Sequence, residues 1–197
     1  LLMKKTIILI MSFFLLNHFC FSGIVIQSDI VPFGYNITYE EDCFDSSNPK
    51  DLSHNFLNEI TSLNASILWE LNSKDIETPF HFMPGLEIGF ILPGIFSLSC
   101  PMICEFSLVK FDKTMIELHL NPNFGVGLGI NNEVCFFYNP SIDFTFGRKD
   151  RKWFYGGAGL NIGGFLGAEH FKGYGNRIYN QTTIGLHIFA GIRFPSF

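Results

Sequence analysis

From Val31 to the C-terminus, apolar side chains recur at every second position, the period of a strand with one apolar face. Val31, Phe33, Tyr35, Ile37 and Tyr39 share one face against Pro32, Gly34, Asn36 and Thr38. Leu63, Ala65, Ile67, Trp69 and Leu71 alternate with Ser62, Asn64, Ser66 and Glu70. A third run sets Leu86, Ile88, Phe90 and Leu92 against Gly85, Glu87 and Gly89, and a shorter fourth sets Cys104, Phe106 and Leu108 against Glu105 and Ser107. The fifth and longest carries Ile116, Leu118, Leu120, Phe124, Val126, Leu128 and Ile130, with Glu117, His119, Asn121, Asn123, Gly125, Gly127 and Gly129 opposite. Val134 to Phe146, Phe154 to Ile162 and Ile184 to Phe194 continue the pattern, with Asp143, Asn161, His187 and Arg193 among their polar positions. Eight strands are predicted. Turn signals separate them at Lys74-Asp75, Pro93-Gly94, Asp112-Lys113, Asn131-Asn132 and Arg148–Lys152. An acidic stretch from Glu40 to Glu59 and a Gly-rich one from Gly167 to Tyr179 are predicted as the long loops. A competing helix over 55–72 rests on Phe56, Ile60, Leu63, Ile67 and Leu71, which also fit a helical stripe.

The polar phase decides what surrounds these strands. A soluble barrel packs large apolar residues inside and puts charge outside. Here the apolar phase is nearly free of charge, while the other phase holds glycines, amides, hydroxyls and the ionisable groups Glu70, Glu87, Glu105, Glu117, His119, Asp143, His187 and Arg193. Such charges need water or partners, and a narrow polar lumen supplies both. In lipid, backbone groups must pair among themselves, which only helices and closed sheets achieve. The expected fold is therefore all-β, an eight-stranded antiparallel up-and-down transmembrane β-barrel. An even strand number and short turns after strands two, four and six fit the asymmetry of bacterial barrels.

The N-terminus reads as an export signal. Lys4 and Lys5 precede a nearly unbroken apolar run from Thr6 to Phe21, and Cys20-Phe21-Ser22 offers small residues for cleavage after Ser22. The expected organisation is a signal peptide over 1–22 and one barrel domain over 23–197. The apolar run is short for a retained anchor, and Phe19 argues against lipid attachment at Cys20. Composition agrees: 24 Phe and 19 Gly accompany only 16% charged residues, as in chains of many short strands. The net charge of −5 becomes −7 once Lys4 and Lys5 are removed, which speaks against a nucleic-acid partner.

The signal peptide, the eight-strand pattern and the segment from Gly185 to Phe197 together make the chain resemble the small outer-membrane barrels of the OmpA transmembrane-domain and OmpX-like type. That resemblance implies outer-membrane lipid as the surroundings and the barrel-assembly machinery as a partner. It also implies a C-terminal assembly signal read at a terminal aromatic. Phe194 keeps the alternation and Phe197 ends the chain, with Pro195 shifting parity between them. The Phe, Ile and Asn bias points to an AT-rich genome, of the spirochaetal kind.

Candidate chemistry is sparse. Cys43, Cys100, Cys104 and Cys135 are an even set in an oxidising compartment, so disulfides among them are one expectation and free thiols the other. Cys100-x-x-x-Cys104 lacks a second paired unit for a metal. His119 and His187 lack a serine-centred arrangement, and are expected to hydrogen-bond Glu117 or Asp143 inside the barrel. Gly125-Val-Gly-Leu-Gly129 precedes no helix and reads as lumen positions. No cofactor is expected. The favoured function is a non-enzymatic barrel with little or no open pore and a structural or surface-contact role through its outer loops, toward a ligand the sequence does not name. A soluble lipocalin-like carrier of an apolar ligand and a barrel-embedded lipid-modifying enzyme are the alternatives.

Overall fold

The computed structural model describes residues 21–42, 51–57, 59–71, 80–91, 94–129, 134–148, 153–171 and 176–195. Residues 1–20 of the expected signal segment, together with Cys43 and Phe197, lie outside these. The chain forms β1 (Phe21–Val31), β2 (Gly34–Asp42), β3 (Asp51–Leu57), β4 (Ser62–Leu71), β5 (Phe80–Ile91), β6 (Ile95–Lys110), β7 (Thr114–Asn121), β8 (Asn123–Gly129), β9 (Val134–Tyr138), β10 (Ser141–Arg148), β11 (Trp153–Phe171) and β12 (Asn176–Pro195). In the single sheet, β12, β1, β4, β5, β6, β7, β10 and β11 lie side by side, and β11 pairs back with β12. Eight strands thus close into a ring, and every pairing around it is antiparallel.

The other four elements continue these staves rather than adding to them. β7 and β8 are one stave interrupted by Pro122: their register against β6 is unbroken from Leu120, opposite Cys104, to Asn123, opposite Pro101. β9 and β10 are likewise one stave broken at Asn139-Pro140, where Asn139 N–H still donates to Asn123 O at 2.8 Å. Proline has no N–H to give the ladder, so one hydrogen bond is lost there while the sheet continues. β1–β2 form the first stave and β3–β4 the second. The segment that also fits a helical stripe is therefore two strand pieces, β3 and β4; closure of the ring requires this stave.

A bulge in the first stave changes one sequence expectation. Ile30 lies opposite Ile188 and Gly34 opposite Gly185, so Val31, Pro32 and Phe33 face only two partner residues. One extra residue inverts the alternation. Val31, grouped with Phe33 by simple periodicity, points inward and is buried, whereas Phe33 is exposed. The first stave also begins well before Val31, at Phe21, with regular pairing to both neighbours from Gly23.

Strands are longer and loops shorter than expected. β6 starts at Ile95, and 7 residues of the acidic stretch form the paired strand β3. The Gly-rich stretch is largely β11–β12 hairpin, paired out to Phe171 opposite Asn176. β11 and β12 span 19 and 20 residues, so with β2 and β3 they rise beyond the ring at the loop end. β3 pairs only with β2 among the described residues, and Leu52 to Phe56 are exposed on both faces.

Two glycines set the close approach of the last staves. Gly157 lies opposite Phe189, and Tyr155 lies opposite Gly191. A Cβ on Gly157 would stand 2.7 Å from Phe189 Cζ, and one on Gly191 would stand 2.6 Å from Tyr155 Cε1. Each inward ring thus lies over a glycine of its neighbour. Gly157→Ala is expected to destabilise the barrel by about 1–3 kcal/mol through overpacking, read as a lower urea midpoint of the refolded protein; an unchanged midpoint would contradict the interlock.

Candidate functional site

The two faces of the wall are reversed relative to a water-soluble protein. Phe124, Phe136, Leu160 and Ile188 are 45%, 48%, 64% and 39% exposed, while Glu117 and Asp143 are 1% and 2% exposed. The described outward positions of the ring carry no Asp, Glu, Lys or Arg between the strand ends; Lys110 and Arg148 mark those ends. Ser28 is an outward hydroxyl, and it donates to Asn64 O at 3.1 Å, so its polarity is absorbed by backbone.

The outward face is also graded. Phe80 and Phe90, Phe96 and Phe106, and Phe136 and Phe146 are pairs ten residues apart on three staves. Between them lie mainly aliphatic side chains such as Leu86, Ile88, Leu98, Met102 and Ile142. Ten strand residues cover about 34 Å, which at a tilt of ~45° gives a vertical span of about 24 Å. An outer-membrane apolar band flanked by aromatic girdles is ~25 Å tall. The aromatic rims are packed: Phe80 with Phe106 at 5.2 Å, Phe90 with Phe96 at 5.1 Å and Phe124 with Phe136 at 6.1 Å between ring centres.

Inside, all eight ionisable residues singled out in the sequence face the lumen and are buried: Glu70, Glu87, Glu105, Glu117, His119, Asp143, His187 and Arg193. They do not form one network. On several staves an apolar or glycine position separates two polar groups, as in Glu70-x-Leu68-x-Ser66 and Arg193-x-Gly191-x-Phe189-x-His187, whereas Glu117, His119, Asn121 and Asn123 run inward without a break. Four layers result. Nearest the chain termini are Glu70, His81, Glu105, Glu117, His119 and Arg193. An apolar layer of Val25, Leu68, Met83, Ile103, Tyr155 and Phe189 follows. Above it lie Asp29, Glu87, Asp143 and His187, and a second apolar group of Ile91, Ile95, Cys135, Phe137 and Phe165 closes the loop end.

The lower polar layer centres on Glu105. Its Oε1 accepts from Arg193 Nη2 and faces His119 Nε2 at 2.5 Å. Arg193 also lies 3.9 Å from Glu117 Oε2, with its guanidinium 4.6 Å above the Tyr155 ring. His119 was expected on Glu117 or Asp143 and is instead held by Glu105, the residue opposite it in the β6–β7 ladder. Glu105, Glu117 and His119 bring ligand-type atoms within 4.8 Å of one another. Arg193 already supplies positive charge to both carboxylates, which weighs against a metal there.

In the upper layer, His187 Nδ1 lies 2.7 Å from Asp143 Oδ1 and Nε2 lies 3.3 Å from Asp29 Oδ1. Only a doubly protonated ring can donate on both sides. Ser141 Oγ donates to Asp143 at 2.7 Å. The serine thus meets the carboxylate and not the imidazole, the reverse of a nucleophile–base relay. Phe189 is stacked by both histidines, with His119 at 5.5 Å and His187 at 5.6 Å.

Several lumen residues escaped the sequence reading. Gln27 and Asp29 sit in the part of the first stave hidden behind the signal-like run, Gln27 accepting from Tyr155 Oη at 2.6 Å. His81 lies on the inward phase of its strand, which strict extrapolation of the alternation would have found, and Tyr155 falls inward with the polar phase of its own strand, as the alternation has it. Asn36, Thr38, Asn64 and Ser66, which the alternation placed on the polar phase, are buried inward as expected. Phe194 faces out, and Pro195 does not break β12 but ends it, opposite Gly23. Disulfides do not join Cys100, Cys104 and Cys135: Cys100 and Cys104 are free and outward on the same strand, about 13 Å apart along it. That exceeds disulfide reach, and Cys135 points the other way, into the lumen. Cys43 lies outside the described residues.

A closed, inside-out eight-stranded barrel with a layered interior is the class that fold and site define. Among solved structures, the chain is similar to Neisserial surface protein A (NspA), with 10% identity, a TM-score of 0.36, and coverage of 87% of this chain and 97% of that one. It is also similar to Ail, the attachment invasion locus protein of Yersinia pestis, with 10% identity, a TM-score of 0.31, and coverage of 88% and 99%. No family model and no curated protein matches the chain.

Proposed function

We propose that this chain is an integral bacterial outer-membrane barrel with a stopped lumen, which acts by presenting its loop-end rim to the outside rather than by catalysis or conduction. The observation that carries the reading is the uncharged outer belt bounded by phenylalanines ten residues apart on three staves, matched to the thickness of an outer membrane. A soluble carrier of an apolar ligand would reverse the faces, placing its greasy surface inside. Two apolar layers across the lumen support the absence of an open path. The contacts of His187 with two carboxylates favour a structural imidazole over a lipid-modifying catalyst. The rim built by β2, β3 and the far ends of β11 and β12 is the surface left for contact with a partner.

Fractionation tests the membrane assignment: the protein is expected in the outer-membrane pellet, released by detergent and not by salt or carbonate. On gels it should migrate differently with and without boiling. Planar-bilayer recordings of the refolded protein are expected to show no sustained conductance. Recovery in the detergent-free soluble fraction would overturn the membrane reading, and steady porin-like currents would overturn the stopped lumen.

A further inference from the structure

The upper polar layer contains a cluster of oxygens that the ion pairs do not use. In the β4–β5–β6 ladder, Asn64, Gly89 and Ser97 stand in one row and Ser66, Glu87 and Ser99 in the next. Asp29 extends the first row beside Asn64, and Gln27 the second beside Ser66. Glu87 Oε1 accepts from Asn123 Nδ2 at 2.7 Å and from Ser99 Oγ at 3.2 Å, which leaves Oε2 without a hydrogen bond. Asn64 spends its Nδ2 on Asp29 Oδ1 at 2.6 Å.

Around this carboxylate, four buried oxygens have no hydrogen-bond partner: Asn64 Oδ1, Ser66 Oγ, Ser97 Oγ and Asn123 Oδ1. Their residues are 1%, 3%, 5% and 0% exposed. Native interiors rarely leave such groups unsatisfied. Two of them converge on one point, since a methyl carbon on Gly89 would run into Asn64 Oδ1 and would lie 2.6 Å from Ser97 Oγ. Gly89 therefore opens a small polar cradle between them, one ladder step from Glu87.

Charge points the same way. Asp29, Glu87 and Asp143 bring three carboxylates to this layer, and His187 is the cation that answers them. The apolar layer beneath separates it from Arg193. A site offering carboxylate, amide and hydroxyl oxygens and no sulfur suits a hard cation.

We infer that the lumen holds a cation site at Glu87 and Gly89, completed by Asn64, Ser97, Ser66 and Asn123, whose ligand class is a hard divalent ion of the size of Ca2+. The ion takes oxygens that otherwise have no partner and brings positive charge to a layer rich in carboxyl groups, tying β4, β5, β6 and β8 together.

The test uses the full barrel refolded in detergent, stripped with chelator and titrated with CaCl2 by calorimetry and thermal melting. One Ca2+ per chain is expected, with the melting midpoint raised by about 5 °C or more at saturating ion. Glu87→Gln, which keeps the acceptor for Asn123, should weaken affinity at least tenfold. Gly89→Ala should abolish binding by filling the cradle, and heat-modifiable gel mobility reports whether each variant is folded. Wild-type protein that melts identically with Ca2+ and with chelator overturns the inference, leaving bound water as the partner of these oxygens. Retention of the full Ca2+ shift in folded Glu87→Gln protein also overturns it, by moving the ion to the acidic loop or the Glu105 layer.

Discussion

Replacing Arg193 with Met is expected to lower the unfolding free energy of the barrel by about 3–5 kcal/mol, the cost of leaving buried carboxylates without their cation. Arg193 is 3% exposed and contacts Glu105 and Glu117 from the last stave, so removing it strands two acids in an interior closed above by Val25, Leu68, Met83 and Ile103. The loss is not one of packing alone, because Met retains most of the side-chain volume. A second substitution separates the causes. Arg193→Met combined with Glu105→Gln removes the orphaned charge as well and should recover about 1–3 kcal/mol. Urea unfolding of the refolded proteins measures both values. Additive losses in the double variant would show that Arg193 and Glu105 are not coupled.

Leu160→Arg probes the opposite surface. Leu160 is 64% exposed and lies opposite Ile142, near the middle of the Phe136–Phe146 span. On a protein surrounded by water, a charge at so exposed a position costs no more than about 0.5 kcal/mol. At the midplane of a membrane the same change costs about 2–4 kcal/mol. Unfolding measured in lipid vesicles should therefore show the larger value, and the identical substitution at Trp153, near the strand end, a much smaller one. An equal and negligible effect at both sites would remove lipid from the outward face.

The alternation of side chains carried most of the architecture, because a strand lining a narrow lumen shows its environment at every second residue. Eight staves, the inward phase of Glu70 through Arg193 and the outward phase of Phe124 or Leu160 are all legible that way. What escaped has identifiable causes. Val31 was misplaced because a bulge is a local insertion that periodicity steps over. Asp29 was missed because Ile24-Val25-Ile26 continues the greasy texture of the segment before it. Leu68, Met83, Ile103 and Phe189 share the polar phase of their strands, so a binary reading passes over them as exceptions. Only closure of the barrel brings those four together, with Val25 and Tyr155, as a layer. The partner of His119 depended on register, which placed Glu105 directly opposite it and which one sequence does not fix.

The stacking of charged and greasy tiers has a consequence for biogenesis. A partly assembled, still open ribbon would present Asp29, Glu87, Glu105, Glu117 and Asp143 to acyl chains, each at a cost of kcal/mol order. Adjacent strands satisfy part of this demand, as His119 does for Glu105, but other counterparts come from strands distant in the chain: Arg193 for Glu105, His187 for Asp29. Hairpins laid into the bilayer one after another would leave these distant pairs unmade. Curling of the ribbon and its entry into lipid are therefore expected as a single event, completed when the final strand meets the first.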